Sequence, residues 1–186
     1  RETMFSVLCA IVGLQIASAA VTTKAPTTCG TNPADIHFLL DSSGSVGSAN
    51  FQKQKDFVAR FAQSFTIGPN NVQIGVTTFS TTVHPQFFMK AHRDQAGLVS
   101  AIKAVPYQTG NTHTGEALHW VDQNAFTTAA GHRSGVTKIL IVMTDGQSGN
   151  PPLTATEADK LHKDGVKVFA IGIGSGIRTA ELEKIA

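Results

Sequence analysis

From Asp35 onward, short apolar runs alternate with segments whose apolar residues recur every three or four positions. "DIHFLL" is a short run of strand character. In "SANFQKQKDFVARFAQSF", Phe51, Val58, Phe61 and Phe65 recur at helical spacing, and Ser48 stands where an N-cap would stand. "NVQIGVTTFS" reads as a strand. "TVHPQFFM" does too, but Pro85 removes a ladder donor and so predicts a place at a sheet edge. "RDQAGLVSAIKAV" puts Leu98, Ile102 and Val105 on one helical face, and "TGEALHWVDQNAF" does the same with Leu118, Val121 and Ala125. "TKILIVMTDG" is almost continuously apolar, as a central parallel strand covered on both faces would be. "ATEADKLHKDG" predicts a short helix with Gly165 at C′. "VKVFAIGIG" predicts a second buried strand, and "RTAELEKIA" begins a last helix. Strands alternating with helices predict an α/β fold: a doubly wound, mostly parallel sheet flanked by helices.

The segment before Asp35 follows another pattern. "MFSVLCAIVGLQIASAA" is apolar and ends on the small-residue triplet Ala17-Ser18-Ala19, the mark of a secretory signal with an A-x-A cleavage site. Its apolar core is shorter than the roughly 18 residues of a membrane span, and Gln15 interrupts it. No Lys or Arg follows Met4, and Arg1, Glu2 and Thr3 are read as lying upstream of the start. The Thr- and Pro-rich stretch that follows cannot bury a core and reads as a linker. The predicted organisation is a signal over 1–19, a linker over 20–33 and one globular domain over 34–186.

Composition narrows the function classes. The 186 residues are 41% hydrophobic and 15% charged, as in an ordinary globular protein. A formal net charge of +2, with no block of Lys or Arg, gives no case for nucleic acid or a polyanionic surface. Of the two cysteines, Cys9 would leave with the signal, so Cys29 would be single in an oxidising compartment, which suggests a missing or intermolecular partner.

Polar residues gather where the strands end. "LLDSSGSVGSANF" crowds Asp41, Ser42, Ser43, Ser45 and Ser48 behind the first apolar run. Asp145 follows "ILIVMT", and the hydroxyls of "GNTHTG" open a helix. In a doubly wound sheet, ligands bind beyond the carboxyl ends of the strands, so these three segments would share one rim.

Four chemistries compete for that rim. A nucleophile elbow needs G-x-S-x-G, but "SGSVG" lacks the first glycine and no His follows a strand end. A Walker loop is absent, and "GIGSG" (Gly172 to Gly176) misplaces the third glycine of a dinucleotide fingerprint. A turn with a helix cap explains Ser48 and Ser42, but not Asp41, Ser43 and Ser45 together with "TDG". A metal site fits best. There is no C-x-x-C or H-x-x-x-H, which disfavours zinc. The donors are hydroxyls from Ser43, Ser45 and Thr112 and carboxylates from Asp41 and Asp145, and such hard oxygens suit Mg²⁺, with Mn²⁺ or Ca²⁺ as alternatives.

"DIHFLLDSSGSVG", "GNTHTGEAL" and "ILIVMTDGQS" together resemble the three signature segments of a von Willebrand factor type A domain, of the kind found in matrilins and collagen-associated proteins. The resemblance runs from about Ala34 to the end of the chain and implies that family's metal-ion-dependent adhesion site, in a Rossmann-like fold. Asp41, Ser43 and Ser45 match D-x-S-x-S, Thr112 matches the loop threonine and Asp145 the aspartate of "TDG". It further implies that the domain continues past Ala186 and that Cys29 pairs with a cysteine beyond that point. The function it implies is that of a secreted matrix or adhesion protein, not an enzyme. Its partner would be an extracellular protein, collagen-like or otherwise of the matrix, that offers an acidic side chain to the cation. A metal-independent assembly module and a metal-dependent hydrolase are the competing readings. The hydrolase lacks an evident general base.

Overall fold

The computed structural model describes residues 32–186. The proposed signal, nearly all of the linker, and Cys9 and Cys29 lie outside the described residues. Ten elements follow in order: β1 (Ala34–Asp41), α1 (Gly47–Gln63), β2 (Val72–Phe79), β3 (Val83–Phe87), α2 (Gln95–Ala104), α3 (Thr114–Asn124), β4 (Thr137–Thr144), α4 (Pro151–Lys163), β5 (Lys167–Gly172) and α5 (Thr179–Ile185). The strands form one sheet in the order β3-β2-β1-β4-β5. All neighbours are parallel except β3, which runs antiparallel to β2 at the edge. The edge position leaves Pro85 with only one neighbouring strand, as its missing N–H demands.

β1 lies at the centre, and all eight of its residues are buried. Its side chains alternate between two cores. Ile36, Phe38 and Leu40 pack with Phe51, Val58 and Phe61 of α1 and Leu98 and Ile102 of α2. Leu39 packs on the other face with Leu118 and Val121 of α3, Leu161 of α4 and Ile185 of α5. Two helices therefore cover one face and three the other, the doubly wound arrangement that the alternation of periods predicts.

Three local expectations are corrected. Ser48 does not cap α1. The Ser43–Val46 turn runs straight into the helix, with Gly47 N donating to Ser43 O at 3.3 Å, and Val46 takes the cap position in helical conformation without a side-chain bond. Ser48 thus sits inside the first turn. The side-chain caps are elsewhere: Asp94 accepts from Gly97 N at 2.8 Å, and Asn150 accepts from Leu153 N at 3.3 Å. β4 is interior rather than central, since β1 holds the middle. β5, expected to be buried, is half-covered: among the described residues it pairs only with β4, and Val168 is its one buried residue. Gly165 takes the C′ position after α4 with φ of 74°, as expected.

His37 is the exception to the apolar rule inside β1. Its ring is fully buried, lies 6.5 Å from the Trp120 ring and 6.3 Å from the Phe126 ring, and uses Nε2 for a 2.9 Å bond with the Thr77 hydroxyl. Nδ1 has no partner. Burial pushes its pKa down from 6.5 to about 3, because no group nearby compensates an imidazolium. Between those two values the unfolded chain binds a proton that the folded chain refuses. Stability is therefore complete above the unfolded value and falls as pH drops through that window. Lowering the pH from about 7.5 to about 5 should cost about 2 kcal/mol through this residue. Urea unfolding at both pH values checks it: His37→Gln should lose that much less stability than the wild type.

Candidate metal centre

The rim where β1 and β4 end is the topological switch point of the sheet: β2 lies on one side of β1 and β4 on the other. Asp41 is the last residue of β1 and is completely buried. Both of its carboxylate oxygens are held. Oδ1 accepts from Ser43 N at 2.8 Å, and Oδ2 accepts from the Thr144 hydroxyl at 2.6 Å. The first contact closes an Asx turn, which folds the chain back so that Ser43 and Ser45 lie together, with their hydroxyl oxygens 3.1 Å apart. D-x-S-x-S is thus a loop whose own aspartate sets its curvature.

Asp145 follows Thr144 directly, is 3% exposed and accepts from Gln147 N at 3.1 Å. The Asp41 carboxyl is pushed up from 3.8 to about 6, first by burial and in smaller part by the charge of Asp145. Hydrogen bonds from Ser43 and Thr144 oppose the rise. The rim therefore concentrates acceptor oxygens, and among the described residues no ion pair engages Asp41 or Asp145. Among the described residues, no group of three or more His, Cys, Asp or Glu side chains gathers to hold a metal. Any cation here would draw on hydroxyls as well as on the two carboxylates. Such an all-oxygen set of low formal charge fits a hard divalent ion.

The third segment is laced to the first through the backbone. Thr109 N donates to Ser42 O at 2.8 Å and Gly44 N to Gly110 O at 2.8 Å. Gln108 N donates to the Ser42 hydroxyl at 2.7 Å, and the Tyr107 hydroxyl to Ser43 O at 3.0 Å. The lacing holds Thr109 at φ of 65°, a position that costs a β-branched residue energy. Gly110 follows at φ of 114°, and a Cβ there would lie 2.6 Å from the Thr81 hydroxyl, so only glycine fits. Thr112, two residues on, is 8% exposed at the entrance to α3. Its carbonyl accepts from Gly149 N at 2.9 Å, and His113 N donates to Ser80 O at 3.0 Å. These bonds place Thr112 on the same rim, but none joins its hydroxyl to the other four side chains.

Several residues that position the site escaped the sequence reading. Thr144 belongs to an apolar run in the sequence, yet its hydroxyl fixes Asp41 and also accepts from Gly146 N at 3.1 Å. Gln54 lies in the apolar stripe of α1 between Phe51 and Val58, fully buried, and donates to Asp41 O at 2.8 Å. A polar residue in that stripe was the available signal. The segment before α5 braces the Asp145 loop: Arg178 N donates to Asp145 O at 2.9 Å and Gln147 Nε2 to Gly176 O at 2.9 Å. Ser148 N donates to the buried Glu181 carboxylate at 3.3 Å.

Thr144→Val keeps the shape and removes one donor from a buried carboxylate. It should destabilise the fold by about 1–3 kcal/mol in chelator, measured by urea unfolding.

Comparison with known proteins identifies the family and the fold. The mouse collagen alpha-4(VI) chain is 36% identical over 165 residues, covering 88% of this chain and 7% of its own length. Human matrilin-1 is 36% identical over 162 residues, covering 85% of this chain and 32% of its own length. The structure of proximal thread matrix protein 1 from the mussel byssus, with a zinc-occupied MIDAS motif, matches with a TM-score of 0.77 and 37% identity. That match covers 82% of this chain and 41% of that one. The zinc there qualifies the donor-type argument against zinc. This chain spans about a third or less of the length of these two sequence relatives. The family model described as von Willebrand factor type A domain matches residues 35–186, and the chain belongs to that family.

Proposed function

We propose that this domain is the ligand-binding module of a secreted extracellular-matrix or adhesion protein. Asp41, Ser43, Ser45, Thr112 and Asp145 would hold a divalent cation. The observation that carries the reading is the Asp41 carboxylate, buried at the end of β1, pressed by the charge of Asp145 and followed at once by two adjacent hydroxyls. Mg²⁺ suits these hard donors, with Mn²⁺ or Ca²⁺ as alternatives, and the zinc-occupied MIDAS motif of the mussel protein supports a divalent ion at the matching position. Bound there, the cation supplies an electrophilic position that an acidic side chain of a partner can complete.

The chain's own residues favour binding over turnover. Asp41 has both oxygens engaged, by Ser43 N and Thr144, and so is poorly free to take a proton from water. The lacing from Tyr107 to Gly110 holds the serine loop still, so little ordering cost falls on the binding step. The likeness to collagen chains and matrilins supports a matrix protein, collagen-like or other, as the partner, and the signal-like stretch over 1–19 supports secretion.

Two experiments test the reading. Asp145→Ala should weaken Mn²⁺ binding by at least about tenfold in titration calorimetry, equivalent to ~1.4 kcal/mol. Equal affinities would remove Asp145 from the site. Solid-phase binding to fibrillar collagens and to matrilin should be lost in EDTA, restored by Mg²⁺ and abolished by Ser43→Ala without loss of folding. Binding that survives both treatments would favour a metal-independent assembly module.

A further inference from the structure

Asp41, Ser43 and Ser45 share one hydrogen-bonded loop, but Thr112 and Asp145 reach the rim ahead of two separate helices. α3 starts at Thr114 and α4 at Pro151, each just beyond a segment that carries a proposed donor. How closely these helices pack therefore bears on how far Thr112 stands from the Asp145 loop.

The two helices press together at Gly115, in the first turn of α3. A Cβ there would lie 2.6 Å from Leu153 Cγ and 3.0 Å from Leu153 Cβ and Cδ2. Gly115 has no positive φ to accommodate, and inside a helix glycine is less favourable than alanine. The approach of Leu153 is what excludes a methyl group at this position.

Leu153 is held from its own side. Pro151 and Pro152 open α4 with φ fixed by their rings, and Asn150 Oδ1 accepts from Leu153 N at 3.3 Å. The Thr154 hydroxyl reaches back to Ser148 Oγ at 3.1 Å and donates to Asn150 O at 3.2 Å. Ser148 belongs to the loop that carries Asp145, so the first turn of α4 and that loop are one braced unit. On the rim side of the contact, Gly149 N donates to Thr112 O at 2.9 Å. Farther from the rim, His119 Nδ1 lies 3.1 Å from the Glu157 carboxylate, and Leu118, Val121, Ala158 and Leu161 share one core. A stiff turn of α4 thus bears on a bare patch of α3, three residues after Thr112.

We propose that the Gly115–Leu153 contact is the spacer that sets Thr112 against the Asp145 loop, which makes both of them positioning residues for the cation site. The inference rests on the cation reading above and adds to it the part of the fold that tunes the site's affinity. Neither residue brings a donor atom, since Gly115 has no side chain and that of Leu153 is apolar. They act through distance. Added bulk at the contact drives the helices apart, and missing bulk lets them shift together. Either change moves the Thr112 hydroxyl from the place where it can share a cation with the Asp145 carboxylate. Protein interiors are close-packed, so a single methyl is enough to be felt.

A double-variant cycle in Mn²⁺ affinity, read by titration calorimetry, tests this. Gly115→Ala adds a methyl, and Leu153→Ala removes the Cγ and Cδ2 atoms that the methyl would strike. Each alone should weaken Mn²⁺ binding by about fivefold or more, because residues in contact couple strongly. Gly115→Ala/Leu153→Ala should bind at least about threefold more tightly than Gly115→Ala, since only the 3.0 Å approach to the Cβ of residue 153 remains. Val121→Ala opens a cavity elsewhere on the same helix; it should lower the urea midpoint in chelator and leave the affinity as it is. On a Thr112→Ala background, which keeps the other proposed donors, Leu153→Ala should cause no further loss, because the hydroxyl it displaces is gone. Unchanged affinity in both single variants overturns the proposal. So does a double variant no tighter than Gly115→Ala, a Val121→Ala loss as large as theirs, or a further loss on the Thr112→Ala background. If Gly115→Ala does not fold, Leu153→Ala on the two backgrounds still decides. A wild type that binds no Mn²⁺ removes the cation reading and this proposal with it, whereas a binding wild type with indifferent seam variants removes the proposal alone.

Discussion

The structure turns on one carboxylate. Asp41 closes the central strand, is wholly buried, and has an oxygen on Ser43 N and another on the Thr144 hydroxyl. The first bond shapes the serine loop; the second clamps β1 to β4 at the point where the sheet changes direction. A buried carboxylate is costly unless hydrogen-bonded, so the chain must supply donors at fixed places, and those donors fix the local geometry. Burial and the nearby Asp145 still hold its pKa near 6. The same arrangement that closes the fold leaves two neighbouring carboxylates at the rim without a cation partner among the described residues, and the proposed cation site rests on that.

The opposite edge of the sheet treats a buried carboxylate differently. Asp35 receives a guanidinium, a backbone N–H and an imidazole, and its charge is answered within the fold. One strand thus carries an acid near each end, six residues apart. The one at the amino end is internally paired and serves as a rivet between loops. The one at the carboxyl end is hydrogen-bonded but not paired with a cation. A buried ion pair gives little net stability, yet breaking one is expensive, which makes the Asp35–Arg133 contact a strong constraint on loop position. The inner part of the strand, from Ile36 to Leu40, is apolar except for His37, whose neutral ring is tolerated because Thr77 partners one nitrogen.

The rim's geometry also depends on residues far from it in sequence. Gln54 holds the Asp41 carbonyl from α1, Tyr107 holds the Ser43 carbonyl from the third segment, and the Gly176–Glu181 stretch braces the Asp145 loop. Thr109 sits in a left-handed conformation because two backbone bonds to the serine loop flank it. Strain of this kind persists only where surrounding contacts over-determine the backbone. A rim built in this way is preorganised, and the proposed ligand would lose less entropy on docking there.

What the sequence determined by itself was everything encoded in period and local chemistry. The alternation of apolar runs with helical spacing gave the doubly wound sheet, Pro85 gave the edge strand, and the segments holding Asp41, Ser43, Ser45, Thr112 and Asp145 gave the rim. Those features are legible because strand and helix periods, and ligand-bearing loops after strands, are short-range properties. The start of α1 departs from the expectation because a turn already in helical conformation leads into it, so no cap from Ser48 is needed. The apolar content of β5 predicts burial, but apolar content does not report how many strands flank it. Tertiary structure alone decided that Thr144 and Gln54 support Asp41 and that Arg133 spends its charge on Asp35. Each of these depends on which residues from distant segments meet. The hydrogen bond or ion pair that neutralises a group is formed across the sheet, where no pattern along the chain can record it.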